Sequence, residues 1–340
     1  MIPAPGNADF SDPSLFPIHF DPERGEVWLL PITADVVSDC TFLDRSAGGD
    51  WAHATRVPWQ QLQAPRHPLH PALLFHTAFC GSTLLARTLQ SPPDVMSLRE
   101  PYALMPLAYA APSQDPAAID GPLEVVLQLL SRPWTPNGRV LIKPTNQVNN
   151  LIHSILRLTR GNAILLYSSL SEFIVSCCKK LPEAESHARW TAQHLLRGSD
   201  LLQALDVPWD HPFHFVESCV LAWHAQIEIY SAALANDSDD RLRSLDFARL
   251  LDDPSRVVPA CAQWLDLGGE PSFWQARAAV EFSRNAKHTE RPFDPQKRAE
   301  ERAALMRRHA ALLEAALAWS KEVVAPLARM PSAWKPLTER

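Results

Sequence analysis

Long apolar runs are the first thing this 340-residue sequence lacks. None approaches the roughly 20 residues needed to cross a bilayer, so no membrane association is expected. The opening MIPAPGNADFSDPSLF has neither the basic stretch nor the apolar stretch of a secretory leader, which leads us to expect a cytoplasmic protein. An excess of basic charge is also missing. Lys and Arg number 32 against 38 Asp and Glu, a formal net charge of −6, and this argues against a general nucleic-acid binder. The six cysteines (Cys40, Cys80, Cys177, Cys178, Cys219 and Cys261) show no metal-ligand spacing, so no metal is expected and they read as buried thiols in a reducing compartment. Glycine is scarce, 11 residues against 31 prolines, and the connections should therefore be rigid, above all before residue 71 and between 112 and 135. No repeat of roughly 20–50 residues recurs, which excludes a solenoid.

What is present is an alternation. LLFH (Leu73 to His76), DVMSLRE (Asp94 to Glu100), GRVLIKP (Gly138 to Pro144), NAILLYS (Asn162 to Ser168) and RLRSLDF (Arg241 to Phe247) are short apolar runs of the kind buried parallel strands show. Helical patterns separate them: STLLARTLQ, VNNLIHSILRLTR (Val148 to Arg160) and SEFIVSCCKK (Ser171 to Lys180). The alternation predicts a three-layer α/β/α sandwich with a mostly parallel sheet, of the P-loop NTPase-like type. Residues 1–70, rich in Pro, Trp and Asp with one strand-like run at Glu26 to Thr33, read as an N-terminal extension packed on the core. Residues 71–290 form the α/β domain, and 291–340 a helical C-terminal segment with apolar residues at helical spacing.

Parallel sheets bind ligands beyond the carboxyl ends of their strands. Gly81, Glu100, Lys143 and Ser168 all fall there. The stretch PALLFHTAFCGSTLLARTL runs from strand to helix through a Gly-Ser-Thr turn, where the N–H groups around Cys80, Gly81, Ser82 and Thr83 would face an anion. An ATP-binding loop of the form G-x-x-x-x-G-K-S/T is not met, because His76 takes the place of the first glycine and Ser82 that of the lysine. The turn alone is equally an ordinary helix cap. His76, at the strand end, is a donor or base candidate whose plainer role is structural.

Taken together the segments resemble the sulfotransferases that use 3′-phosphoadenosine 5′-phosphosulfate (PAPS). That family's nucleotide loop reads Pro, Lys or Arg, Ser, Gly, Thr, Thr between a strand and a helix, and Ala78 to Leu84 occupies it here. Its second signature follows a strand with Arg, Asp or Asn, Pro, then an acidic residue and a final Ser. Ser168 to Ser176 is similar, matching at Glu172 and Ser176. The tyrosylprotein-type branch looks nearest, since it puts a Glu at the end of the second strand and a Lys in a following K-x-P motif, as Glu100 in LREP and Lys143 in LIKP do. The resemblance runs through AWHAQIEIYSAA around Trp223 and RSLDFARLLDDP, from about Leu73 to Leu267.

Two departures stand out. Phe79 replaces the loop cation that meets the 5′-phosphate and the transferring group, and Ser168 replaces the Arg of the 3′-phosphate site. Candidate substitutes are Lys179 and Lys180, Arg99, and Arg284 and Lys287 in the basic stretch FSRNAKHTERPF. The resemblance implies a sulfotransferase that moves a sulfuryl group from PAPS, leaving as PAP, to a hydroxyl or amine. Glu100 would be the base and Lys143 the charge stabiliser, with Gly81 to Thr83 on the 5′-phosphate and Ser176 on the 3′-phosphate. A small molecule, a peptide or a sugar could be the acceptor, with residues drawn from variable loops within 102–137 and 181–215. A P-loop kinase or NTPase, and a non-catalytic descendant acting as a binding protein, are the alternatives.

Overall fold

The structure, a computed structural model, describes residues 10–45, 47, 49–62, 69–197, 199–284, 295–332 and 334–338. Its centre is a five-stranded sheet. Strands β4 (Ala72–His76), β5 (Val95–Arg99), β6 (Arg139–Lys143), β7 (Ala163–Tyr167) and β8 (Leu242–Asp246) lie in the order β5-β6-β4-β7-β8, and every neighbouring pair is parallel. Both faces are covered, which explains why these strands read as unbroken apolar runs. Leu73 and Phe75 of β4 enter one core with Leu98, Ile142 and Leu165, while Ala72 and Leu74 enter a second core with Leu141, Ile164 and Leu166. Fully burying each such Leu or Phe contributes about 1.5–3 kcal/mol. The three-layer arrangement expected from the sequence is thus present.

Helix α1 (Ser82–Thr88) leaves β4 for the second core, where α6 (Pro254–Trp264) and α7 (Pro271–Glu281) also pack. Helices α3 (Leu170–Lys179), α4 (Glu183–Leu196) and α5 (Phe215–Ala235) lie on the opposite face. The chain therefore departs from the end of β4 to one side and from the ends of β6 and β7 to the other. A crevice opens between these departures, beyond the carboxyl ends of the strands.

Residues before 71 contain more sheet than the single strand the sequence suggested. β1 (Leu15–Asp21), β2 (Glu26–Pro31) and β3 (Thr55–Pro58) form an antiparallel meander whose Phe16, Ile18, Phe20, Val27 and Leu29 belong to the first core. Pro17, the bulge between Pro17 and His19, and the shortness of β3 hide the period-2 pattern. The ranges 102–137 and 181–215, within which variable loops were expected to supply acceptor-binding residues, are largely helical. In the first, Asp115 caps α2 (Pro116–Leu130) by accepting from the Ala117 N–H, with a proline at the first helical position. In the second, the inward stripe of α4 is Ala184, Ala188, Thr191, Ala192 and Leu195, too small and mixed to stand out, and it packs on α5. Toward the C-terminus, α8 (Pro295–Arg308) and α9 (Ala310–Trp319) are followed by an extended end that flanks β8, where the Ser244 N–H donates to the Lys335 carbonyl (2.7 Å) and the Leu337 N–H to the Ser244 carbonyl (2.9 Å). Among the described residues no helix is long and apolar enough to cross a membrane.

Candidate active site

A cavity of about 500 Å³ occupies the crevice, lined from β4 and its loop by His76, Ala78, Phe79, Gly81, Ser82 and Thr83. Glu100 after β5, Thr145 and Asn146 after β6, and Lys180, Glu183 and His187 around the start of α4 complete most of it, with Phe42 from the N-terminal region.

Its backbone is strained. Six described non-glycine residues have positive φ, and three of them are aspartates, which tolerate that region. The other three, Ala78 (64°), Phe79 (53°) and Glu100 (56°), all line this cavity. Such conformations cost about 1–3 kcal/mol each and persist only where the surroundings impose them. The imposing contacts are visible. The Ala78 N–H donates to His76 Nδ1 (3.1 Å), and Asn149 Nδ2 donates to the His76 carbonyl (3.1 Å). Asn146 and Asn149 both donate to Gln226 Oε1 of α5 (3.2 and 3.3 Å), so a buried polar network braces the loop from behind. Gly81 sits at φ 71°, and a Cβ there would lie 2.1 Å from the Phe247 ring, so only glycine fits.

The charged centre joins two strand ends. Lys143, with its side chain wholly buried, donates from Nζ to Glu100 Oε1 at 2.5 Å, while the Glu100 side chain is 23% exposed toward the cavity. The adjacent backbone is locked too, with the Glu100 N–H donating to the Lys143 carbonyl (2.7 Å). Because His76 Nδ1 accepts a hydrogen bond, the neutral ring carries its proton on Nε2, which lies 3.8 Å from Glu100 Oε1. A carboxylate thus stands between a lysine and a histidine at the cavity floor.

Across the cavity, Phe79 is wedged between Phe173 and His187, with ring centroids at 5.8 and 5.5 Å, and Lys180 Nζ lies 4.4 Å from the Phe79 ring centroid.

The residues singled out from the sequence divide clearly. Gly81, Ser82, Thr83 and Glu100 line the cavity, and Lys143 lies directly beneath through its ion pair. Cys80 is buried, its thiol donating to the Leu166 carbonyl (3.7 Å) and burial pushing its pKa up to about 11. It does not line the cavity. Ser168 is buried, its carbonyl accepting from Trp223 Nε1 (2.9 Å) and its hydroxyl finding no partner among the described residues. Ser176 is half-buried on α3, and neither serine lines the cavity. Arg284 is exposed beyond α7 and away from the lining, and Lys287 lies outside the described residues.

Two of the substitute cations have other work. Arg99 is buried and points away from Glu100, as strand neighbours do, donating to Gln90 Oε1 and to the carbonyls of Val37, Ser38 and Cys40. Lys179 pairs with Glu301 (2.7 Å). Glu183, His187, Asn146 and Phe42 were not legible as site residues. The i, i+4 spacing of Glu183 and His187 put them on one face, but only the packing of α4 aims that face at the loop.

No protein-family model matches the sequence, and no curated protein matches it. Among solved structures, the chain is similar to a sulfotransferase domain from the curacin biosynthetic pathway, with 12% identity and a TM-score of 0.42, over 72% of this chain and 99% of that one. It is also similar to a sulfotransferase from Alicyclobacillus acidocaldarius (14% identity, TM-score 0.37, 74% and 96% covered). A third is the sulfotransferase domain of the Synechococcus PCC 7002 olefin synthase (15% identity, TM-score 0.38, 70% and 86% covered). Likenesses of this degree identify no donor, acceptor or catalytic residue.

Proposed function

We propose that this protein is a sulfotransferase that moves a sulfuryl group from PAPS to a hydroxyl or amine acceptor. The observation that carries the reading is the Glu100–Lys143 pair, held at two adjacent strand ends and opening into the same cavity as the Gly81 to Thr83 turn. The sequence resemblance assigns those residues to that chemistry, and their convergence is what it requires.

The residues fit the reactive end of such a donor. The turn from Gly81 to Thr83 lines the cavity, where its backbone N–H groups and the hydroxyls of Ser82 and Thr83 would meet a phosphate. The 3′-phosphate end is less well provided, because Ser168 and Ser176 lie outside the cavity lining. When bound, PAPS supplies a sulfuryl group already activated on a phosphate.

In this reading Glu100 accepts the proton of the attacking hydroxyl or amine at a carboxylate oxygen, a contribution on the order of 10²–10⁴-fold. Its left-handed backbone fixes the carboxylate at the cavity floor. Lys143 orients Glu100 through Oε1 and places a positive charge behind the reacting oxygens, where the low dielectric of its buried site strengthens the effect. The Asn146–Asn149–Gln226 network keeps the loop in register with both.

Calorimetric titration with PAP, and separately with ATP and magnesium, tests the assignment, followed by a radiolabelled-donor screen over phenols, alcohols and amines. Micromolar PAP binding and transfer that is lost in Glu100→Gln are expected. Binding of ATP with magnesium and not of PAP would move the protein to the kinases or NTPases. Binding of neither would leave a non-catalytic binding protein.

A further inference from the structure

We propose that His76 is a positioning residue of the transfer site, its imidazole ring tying the loop that leads into the Gly81 to Thr83 turn to the carboxylate of Glu100. This rests on the function proposed above and adds to it the device that keeps donor and base in register.

The ring stands between two forced conformations. Ala78 (φ 64°) and Glu100 (φ 56°) are both held in left-handed backbone, and His76 meets each of them. Its Nδ1 accepts the Ala78 N–H at 3.1 Å, and its Nε2 lies 3.8 Å from Glu100 Oε1. The ring has little freedom of its own. Its side chain is 4% exposed, and the residue ends β4. The His76 carbonyl accepts from Asn149 Nδ2, which also donates to Gln226. A neutral imidazole carries one acceptor and one donor in a single rigid ring, so fixing one side aims the other.

The same occupancy excludes the ring as the base. With the Ala78 N–H on Nδ1 and a proton on Nε2, neither nitrogen can take a proton from an attacking group. Glu100 Oε1 is engaged as well, by Lys143 at 2.5 Å and by the facing His76 Nε2. The proton of the attacking group therefore goes to Oε2. At 3.8 Å the histidine contact is just outside hydrogen-bond range, and contacts of this kind tighten when substrate fills a site. The other charged and titratable groups of the cavity are Lys143 beneath Glu100, and Lys180, Glu183 and His187.

Two amide substitutions separate the ends of the ring. Asn puts an oxygen near the place of Nδ1 and nothing at Nε2, whereas Gln puts an N–H donor near Nε2 and no polar atom at the δ position. In the full-length protein, His76→Asn should keep the calorimetric affinity for PAP within about twofold. It should lower, by about tenfold, the release of sulfate from PAPS when water attacks the sulfur and PAP leaves. His76→Gln should instead weaken PAP binding by about tenfold. Circular dichroism confirms that each variant is folded. A second measurement leaves His76 in place: NMR of isotope-labelled histidine should find the His76 proton on Nε2, with a signal that moves in Glu100→Gln. If wild type binds PAP but the two variants lose affinity and turnover alike, or the proton sits on Nδ1, the inference falls and the proposed function stands. If wild type binds no PAP, the proposed function falls. An Nε2 proton that responds to Glu100→Gln then still supports the coupling, and one that does not overturns it.

Discussion

The two ends of the parallel sheet carry cavities of nearly equal size, about 500 Å³ beyond the carboxyl ends and about 470 Å³ beyond the amino ends. Size does not separate them. The amino-end cavity has basic side chains of its own, Arg139 and Arg160, but Arg139 is 47% exposed and pairs at 3.7 Å with an Asp266 that is 84% exposed. A solvated pair of that kind contributes about 0–1 kcal/mol. Its one lining residue with non-glycine positive φ is Asp266, of a type that tolerates the region. At the carboxyl end a fully buried lysine holds a carboxylate, and three residues of unsuited type are forced into left-handed backbone. What sets the carboxyl end apart is therefore buried charge and imposed strain, both of which cost stability.

The sharpest way to break this contrast is at the ion pair. Glu100→Gln should lower transfer on the order of 10²–10⁴-fold and also lower the unfolding midpoint, because it leaves the buried Lys143 ammonium without its carboxylate, and Lys143→Ala should abolish transfer and destabilise by about 3 kcal/mol in urea titrations. A Lys143→Ala protein as stable as wild type would show that the burial of charge is not structural.

Two buried histidines on α4 and α5 should make the protein sensitive to acid. His194 on α4 and His224 on α5 both have pKa values lowered to about 4, chiefly by burial. Their Nε2 atoms meet the Gln147 carbonyl (3.1 Å) and Ser320 Oγ (2.8 Å). Both are neutral in the fold down to about pH 4, while in the unfolded chain they take up a proton below about 6.5. The stability they allow is thus complete above pH 6.5 and declines as the pH falls toward 4, by about 2 kcal/mol each at pH 5. Urea midpoints at pH 7 and pH 5 should differ accordingly, and the difference should shrink in a His194→Gln/His224→Gln double variant.

Two glycines allow a finer test. An alanine Cβ at Gly81 would lie 2.1 Å from Phe247, and one at Gly161 would lie 1.8 Å from the Pro71 carbonyl oxygen. Both substitutions should destabilise by about 1–3 kcal/mol. Only Gly81→Ala should also reduce transfer, about 10²-fold, if the loop positions the donor as proposed. The smallest effect belongs to the amino end: Arg139→Ala should change stability by about 0.5 kcal/mol or less and leave PAP titrations unaltered.

How much of this was legible follows from the interactions involved. All five core strands stand in the sequence, because burial on both faces demands the continuous apolar runs seen at 73–76 and 163–167. The meander at 15–58 was only partly visible, since Pro17 and a bulge interrupt its alternation. The helices within 102–137 and 181–215 were missed where small or polar residues serve as the buried stripe. Of the site, Glu100, Lys143 and Gly81 to Thr83 were legible because each ends a strand or begins a helix. Ser168 also satisfied that pattern, yet local pattern does not say which way a side chain turns.

The sequence by itself determined the five strands of the parallel sheet and the edge where chemistry could sit, because apolar runs and strand-end position are properties of contiguous residues. Only the tertiary structure decided that Lys143 would be enclosed beneath Glu100, that Arg99 would turn away into a cage of carbonyls, and that Lys180 would reach Phe79 from the far side of the crevice. Those outcomes depend on contacts between residues 43 to 101 positions apart in the chain. Nothing in the local sequence encodes such distances until the sheet order β5-β6-β4-β7-β8 brings the strand ends together.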